Sequence, residues 1–409
     1  MSKWQQVKLG DYSDITSSKR IFYSDYVADG VPFFRSKEII EKQTGSDISE
    51  PLFISIEKYK YIKTQFGVPA PGDMLLTSVG TIGIAYIVKK SDNFYFKDGN
   101  LTWFRNFSPL LDSRFLYYWV ASPIGQKVLH NSTIGSSQKA LTISALKQLR
   151  IPLPPIEEQR KIADVLSAYD DLIENNRKQI KLLEEAAQRL YKEWFIDLRF
   201  PGYENTPIID GVPEGWEKGS SIDFFNITIG KTPPRSESQC FTNGNSGMPW
   251  VSISDMGNSG IYISGTLEGL TQDAVNRYNV KVIPAGTILL SFKLTLGRVS
   301  IATAPCCTNE AIAHFYIENE DLRPYTLLYL KSFKYDTLGN TSSISKAVNS
   351  SIIKAMPFIM PNANLIVAFA KFINPIFEKI YHLQKSINEA KSSRDCLLPK
   401  LMTGELEVL

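Results

Sequence analysis

From Ile162 to Trp194 the chain carries Ile162, Leu166, Tyr169, Ile173, Asn176, Ile180, Leu183, Ala187, Leu190 and Trp194 at alternating spacings of four and three, with mostly polar positions between them. A 3.5-residue period held over more than four heptads is that of a coiled-coil helix. Its start is marked by Pro155, whose missing N–H costs nothing there, and by Glu157 and Glu158, which face the positive end of the helix dipole. About 40 residues at about 1.5 Å each predict a rod of roughly 60 Å. Such a seam needs a partner, and the chain supplies one at its end. A shift of 207 places Phe369, Ile373, Ile376, Ile380, Leu383, Ile387, Ala390, Arg394, Leu397 and Leu401 on the same positions, with Arg394 a polar mismatch. Asn176 is a polar insertion of the kind that fixes register at some cost in stability.

The repeat extends beyond the helices. Gly72 to Ser78 returns as Gly286 to Phe292, and the same shift of 214 carries Thr81-Ile82-Gly83 onto Thr295-Leu296-Gly297. Gly30-Val31-Pro32-Phe33-Phe34 answers to Gly247-Met248-Pro249-Trp250-Val251. Between the helices lie short apolar runs punctuated by Gly, Pro, Asn and Asp: Ile82 to Val88, Leu101 to Phe104 and Val299 to Ala302 read as strands. Ser113 to Leu129 and Arg323 to Phe333 read as helices, and Phe200 to Gly215 has a linker's Pro and Gly density. The predicted class is α+β: similar domains over 1–153 and 200–360, and long helices over 154–199 and 361–409 that pair as an antiparallel coiled coil, with an internal pseudo-twofold repeat.

Composition narrows the class. With 43% hydrophobic residues and 409 in all, the chain can bury real cores. Its four cysteines form no Cys-x-x-Cys pair, so neither a zinc site nor a disulfide framework is expected. No leader and no long apolar run is seen, and the expected location is cytoplasmic. Net charge is +3, but residues 1–153 hold 19 basic against 13 acidic side chains, the only segment that leans clearly basic. Two similar heads joined by paired helices suit two similar targets at a fixed spacing, which on DNA means major-groove contacts about 34 Å apart per turn.

The stretch Gly135 to Leu166 resembles the specificity subunit of type I restriction-modification systems. The resemblance lies in the Gly135-Ser136-Ser137-Gln138 turn ahead of a short helix, the exit Ile151-Pro152-Leu153-Pro154-Pro155 and the Glu158-Gln159 pair opening the long helix. Pro71-Gly72-Asp73-Met74-Leu75-Leu76 and the ending Leu401-Met402-Thr403-Gly404-Glu405-Leu406 fit as well. The second copy departs at Met360-Pro361-Asn362-Ala363-Asn364, which lacks the Glu-Gln opening, and Pro375 interrupts its helix. The resemblance implies two target-recognition domains, each reading half of a bipartite double-stranded DNA site, and helices that set the spacing and dock two methyltransferase subunits. It implies no cofactor in this chain: S-adenosylmethionine belongs to the methyltransferase subunits, which flip and methylate an adenine, and ATP and Mg to a restriction subunit.

Base contacts are expected from the loops between strands. In the first copy these are Arg35, Ser36, Lys37, Thr77, Ser78, Thr81, Asn100, Ser136, Ser137, Gln138 and Lys139. In the second they are Ser252, Ser254, Lys293, Thr295, Arg298, Asn309, Ser343 and Lys346. Arg and Lys can read guanine, and Asn and Gln adenine. Catalytic readings fail on spacing. Gly230-Lys231-Thr232 lacks the earlier Gly of a phosphate loop, that position being Phe225. Asn374-Pro375-Ile376-Phe377 is similar to a methyltransferase motif but lies in the second seam, where it reads as a helix start or kink. Glu389-Ala390-Lys391 sits on a helix, and His130, His314 and His382 have no metal-ligand spacing. The rivals are a protein-binding coiled-coil scaffold, a stand-alone nuclease or methyltransferase, and a specificity subunit whose system lacks a restriction subunit.

Overall fold

The structure, a computed structural model, describes residues 4–45, 48–135, 139–244, 246–338 and 348–408. The chain divides into two compact units, one of Met1–Glu174 with Asn388–Leu409 and the other of Asn175–Ile387. Each unit therefore takes a share of both long helices, which run over Ile156–Tyr191 and Ala363–Thr403.

In the first unit a four-stranded sheet has the order Asp14–Thr16, Leu101–Arg105, Met74–Thr77, Ala85–Ile87. A second sheet orders Tyr26–Val27, Leu52–Ile54, Val31–Phe34 and Tyr95–Phe96, the last pairing parallel. Gln5–Lys8 and Arg150–Leu153 pair separately. These strands are two to five residues long, and Met74–Thr77 and Tyr95–Phe96 are buried at every position and Leu101–Arg105 at all but its last, so they show no alternation.

The second unit repeats this arrangement residue for residue. Met74 faces Phe104 on one side and Ile87 on the other, and Ile288 faces Phe315 and Ile301. Ile15 opposite Phe104 becomes Ile227 opposite Phe315, and the parallel pair Phe34 with Phe96 becomes Val251 with Thr308. Matching registers are a stronger sign of duplication than the sequence motifs, because a slip by one residue would turn every side chain to the other face. Tyr262–Ile263 adds a fifth strand to the second unit's larger sheet.

The seam residues do what their spacing predicts within each unit. In the first, Ile162 and Leu166 are buried with Leu398, Leu401 and Met402, and Ile173 is buried; Tyr169 and Leu397 are half-buried. In the second, Phe369, Ile373, Ile380, Leu383 and Ile387 are buried, while Ile180, Leu183, Leu190 and Ile376 are half-buried against the same core. Asn176 Nδ2 donates to Ser386 Oγ at 3.1 Å, so the polar insertion has a polar partner. The mismatch at Arg394 is likewise matched: its Nη1 lies 2.5 Å from Asp170 Oδ1, and Tyr118 donates to Asp170 Oδ2 at 2.7 Å.

Three expectations change. The second helix starts at Ala363, where Asn362 Oδ1 accepts from Leu365 N at 2.9 Å, and continues through Pro375 to Thr403. Pro375 lies on the exposed side of the helix, as does Lys371 one turn before it, so its ring displaces no buried side chain. The segment read as one helix from Ser113 is two, Ser113–Ala121 and Pro123–Asn131, with Ser122 capping the second. The stretch read as a linker is structured: Ile208–Ile209 pairs with Val212–Pro213, and Phe200 and Val212, with Trp216 just beyond them, join the second unit's core.

Candidate nucleic-acid interface

In each unit the loops picked from sequence are tied side by side by backbone hydrogen bonds. In the first, Lys97 N donates to Phe34 O (2.8 Å), Ser78 N to Asn100 O (2.8 Å) and Leu141 N to Ser78 O (2.9 Å). This brings together residues 35–37, 97–100, 78–83 and 139–141. In the second, Asn309 N donates to Val251 O (3.1 Å), Phe292 N to Ala311 O (2.9 Å) and Lys231 N to Thr308 O (2.9 Å). Residues 252–255, 309–311 and 292–298 are thus gathered as their first-unit counterparts are, and 230–232, the counterpart of 18–20, joins them.

The turns at the centre of each cluster are built identically. Gly83 N and Ile84 N donate to Thr77 O and Thr77 Oγ1, both at 2.9 Å. Gly297 N and Arg298 N donate to Ser291 O (2.9 Å) and Ser291 Oγ (3.0 Å). Gly83 and Gly297 take left-handed φ values of 89° and 87°. Thr77 is therefore a buried support of its turn, as is Ser78, whose Oγ lies 2.6 Å from Thr102 Oγ1. Thr81 stands exposed in the first turn, and Lys293 and Thr295 in the second. Arg298 braces the second turn, its Nη1 donating to Ile253 O at 2.5 Å.

The loops at 35–37 and 252–255 open short helices, Ser36–Thr44 and Ile253–Ser259, by the same device. Glu38 is fully buried and accepts from Arg35 N at 2.7 Å; Asp255 accepts from Ser252 N at 2.8 Å. Arg35 Nη2 lies 2.5 Å from Glu38 Oε1. Burial works to raise the Glu38 pKa, but the Arg35 guanidinium and the backbone donors prevail and hold it below the usual carboxylate range. Arg35 is thereby committed to its own helix start. Ser36 is half-buried, with its Oγ unpartnered; Lys37 is exposed and lies 3.0 Å from Glu50. Ser254 and Lys139 are exposed, and Asn100 and Asn309 half-buried, Asn309 Oδ1 accepting from Ala311 N at 3.1 Å. Ser136, Ser137, Gln138, Ser343 and Lys346 lie outside the described residues.

Further cations stand on these clusters. Lys19 and Lys231 follow equivalent strands, Asp14–Thr16 and Ile227–Ile229, and both are exposed; Arg20 pairs with Asp98 at 2.8 Å. The recurrence of Ile15-Thr16-x-x-Lys19 as Ile227-Thr228-x-x-Lys231 is the sequence signal that marks them. Among the described residues no group of three or more His, Cys, Asp or Glu could hold a metal ion, and no helix is long and apolar enough to cross a membrane.

Behind the second cluster His314 is buried between two hydroxyls, Thr228 Oγ1 at 2.8 Å from Nδ1 and Thr308 Oγ1 at 2.7 Å from Nε2. Burial, with a smaller contribution from Lys281, lowers its pKa to about 4. The unfolded chain then takes up a proton between about pH 6.5 and 4 that the folded chain does not. Stability is complete above that window and is expected to fall by about 3 kcal/mol as pH drops through it. Urea titrations across the window should show the slope, and His314→Asn should flatten it; an unchanged slope would rule the imidazole out as its source.

Comparisons with known proteins place these features in a family. The model described as "Type I restriction modification DNA specificity domain" matches residues 1–185 and 213–392. The specificity subunit of the type I restriction enzyme MjaIX from Methanocaldococcus jannaschii is 32% identical over 82% of this chain and 78% of its own length. The HindI specificity subunit from Haemophilus influenzae is 25% identical over 99% of this chain and 100% of its own. Among solved structures, the S subunit of a type I restriction-modification system from M. genitalium matches in fold with a TM-score of 0.60, at 17% identity, over 98% of this chain and 96% of that one.

Proposed function

The chain belongs to the family of type I restriction-modification DNA specificity subunits, and on that premise we infer how its parts divide the work. It is the non-catalytic DNA-recognition subunit of such an enzyme. Each copy of the recognition domain reads one half of a bipartite site, and the helices set the spacing. The observation that carries this is the duplication of the loop cluster: the same turn, helix start and exposed lysine occur once in each unit on different side chains. Duplicate scaffolds with different loops are what two related but unequal half-sites require. Mapping methylated adenines in cells with and without the chain tests it. The expected result is one bipartite motif that disappears with the chain; a motif that persists would sink the reading.

We further propose that two methyltransferase subunits, carrying S-adenosylmethionine, seat on the long helices, that ATP-dependent restriction subunits join them, and that the complex works in the cytoplasm. Support comes from apolar side chains that the helices leave in water. In the second unit Leu182 is 65% exposed within a shallow hollow lined also by Glu185, Ala186, Arg189, Leu190 and Glu193, and Phe372 is 59% exposed. Patches of this kind, rimmed by charge, mark protein contacts. Leu182→Asp is expected to leave thermal unfolding unchanged and to abolish co-purification of the methyltransferase, which also ends methylation. Retention of the partner would place its seat elsewhere.

A further inference from the structure

The second unit's central turn holds a residue that its folding does not explain. Leu294 is 98% exposed, the most exposed large apolar side chain among the described residues, and its φ is +60°. Left-handed backbone is disfavoured for a branched side chain, and an exposed leucine gains nothing from the hydrophobic effect. Leu198 shares the conformation, with φ of 57°, but packs against the unit's core, where burial offsets the strain. Leu294 has no such compensation.

The duplicated turn shows what the backbone alone would choose. The position equivalent to Leu294, by the register that pairs Met74 with Ile288, is Gly80, with φ of +79°. Glycine adopts that conformation without penalty, so the first unit has the relaxed turn and the second a strained one. Nor is the second turn loose enough to fold its leucine away. Ser291 Oγ is 2.5 Å from Thr295 O and accepts from Arg298 N, and a Cβ on Gly297 would come within 3.0 Å of the Tyr335 ring. The leucine is therefore held out into solvent from a rigid base, at the centre of the loop cluster assigned to DNA.

Its neighbours suit an anionic duplex. Lys293 is exposed beside it, and Lys293 and Arg235 are both near enough to Glu310 to help keep that carboxylate charged, after the larger effect of its hydrogen bond from Thr232. Arg235 is itself held by Glu268 at 2.8 Å, which leaves Lys293 as the exposed cation next to the apolar tip. A lysine beside an apolar tip fits a surface where phosphates lie outside and apolar base surface, a thymine methyl or a base face, lies within.

We propose that Leu294 is a specificity-determining residue that enters the DNA and makes an apolar contact with a base of the half-site read by the second unit. This rests on the DNA-reading function inferred above. The first unit, with Gly80, reads its half-site without such a contact.

The test is the methylated-adenine map of cells expressing the full chain with its own methyltransferase. Leu294→Gly restores the relaxed turn and should fold at least as well, with an unchanged or higher Tm. It is expected to relax one base position of one half-site, with roughly tenfold loss of discrimination there, leaving the other half-site intact. Leu294→Asn tolerates the backbone but is polar and should behave like Gly, whereas Leu294→Met should retain the wild-type motif. If the wild-type chain gives a motif and Leu294→Gly gives the same one, the proposal is wrong while DNA reading stands. If the wild-type chain itself directs no sequence-specific methylation, both fall.

Discussion

Replacing Phe369 by alanine is expected to lower the unfolding free energy of the second unit by about 3–5 kcal/mol, a large part of the roughly 5–15 kcal/mol that holds a domain folded. Phe369 is fully buried on the second long helix, and its ring lies 4.8 Å from that of Phe195, 5.6 Å from Trp194 and 6.5 Å from Tyr191. Phe195 in turn meets Tyr325 at 4.7 Å and Trp216 at 5.8 Å. The ring therefore joins both long helices to the second recognition domain, and truncation leaves a cavity lined by aromatics that cannot close in to fill it. Urea unfolding followed by tryptophan fluorescence reads the change. Phe369→Leu, which keeps most of the volume, should cost less than half as much; a loss under about 1 kcal/mol for the alanine variant would mean the site collapses and the cluster is not the keystone described.

The same residue shows why the long helices were legible. A 3.5-residue period depends only on which side chains face a partner, and Phe369, Ile373, Ile380 and Ile387 obey it whatever surrounds them. The duplication was legible for a related reason, since motifs such as Gly72 to Ser78 have to rebuild the same turn. What escaped depends on contacts distant in sequence. Ser78 looks like a loop residue free to meet DNA until Thr102 is found 2.6 Å away, and Arg35 looks like a free cation until buried Glu38 is seen to hold it. Phe200 and Val212 sit in a Pro- and Gly-rich stretch that reads as linker, and only the assembled core shows where they go. Pro375 misled differently: its usual cost in a helix, about 3 kcal/mol, is set against the burial of Ile373, Phe377 and Ile380 around it. Leu294 lies at the far end of this scale, because its meaning comes from a comparison of φ angles between two turns that sequence alone only aligns.

Grafting residues 227–315 in place of 15–104 is expected to yield a chain that directs methylation to a site in which both halves are the sequence now read by the second copy. The cut points are set by strand pairing. Ile15 and Phe104 are direct partners across one sheet, and Ile227 and Phe315 are partners across the other, so each segment leaves and re-enters its domain at adjacent positions. The surface that the graft must present to the rest of the first unit is almost the one removed: Ile15, Met74, Leu76, Ala85 and Phe104 would be replaced by Ile227, Ile288, Leu290, Val299 and Phe315. Bulk is added where Val299 replaces Ala85 and where buried Phe292 replaces buried Ser78, each an overpacking that costs about 1–3 kcal/mol. The loops at 35–37, 78–83 and 97–100 are exchanged whole with those at 252–255, 292–298 and 309–311, and the helices are untouched, so recognition should change while spacing does not. Methylated-adenine mapping gives the answer directly. A chimera that folds and still methylates the original unequal site would mean that the bases are read from outside these segments, and the assignment of one loop cluster to each half-site would fail with it.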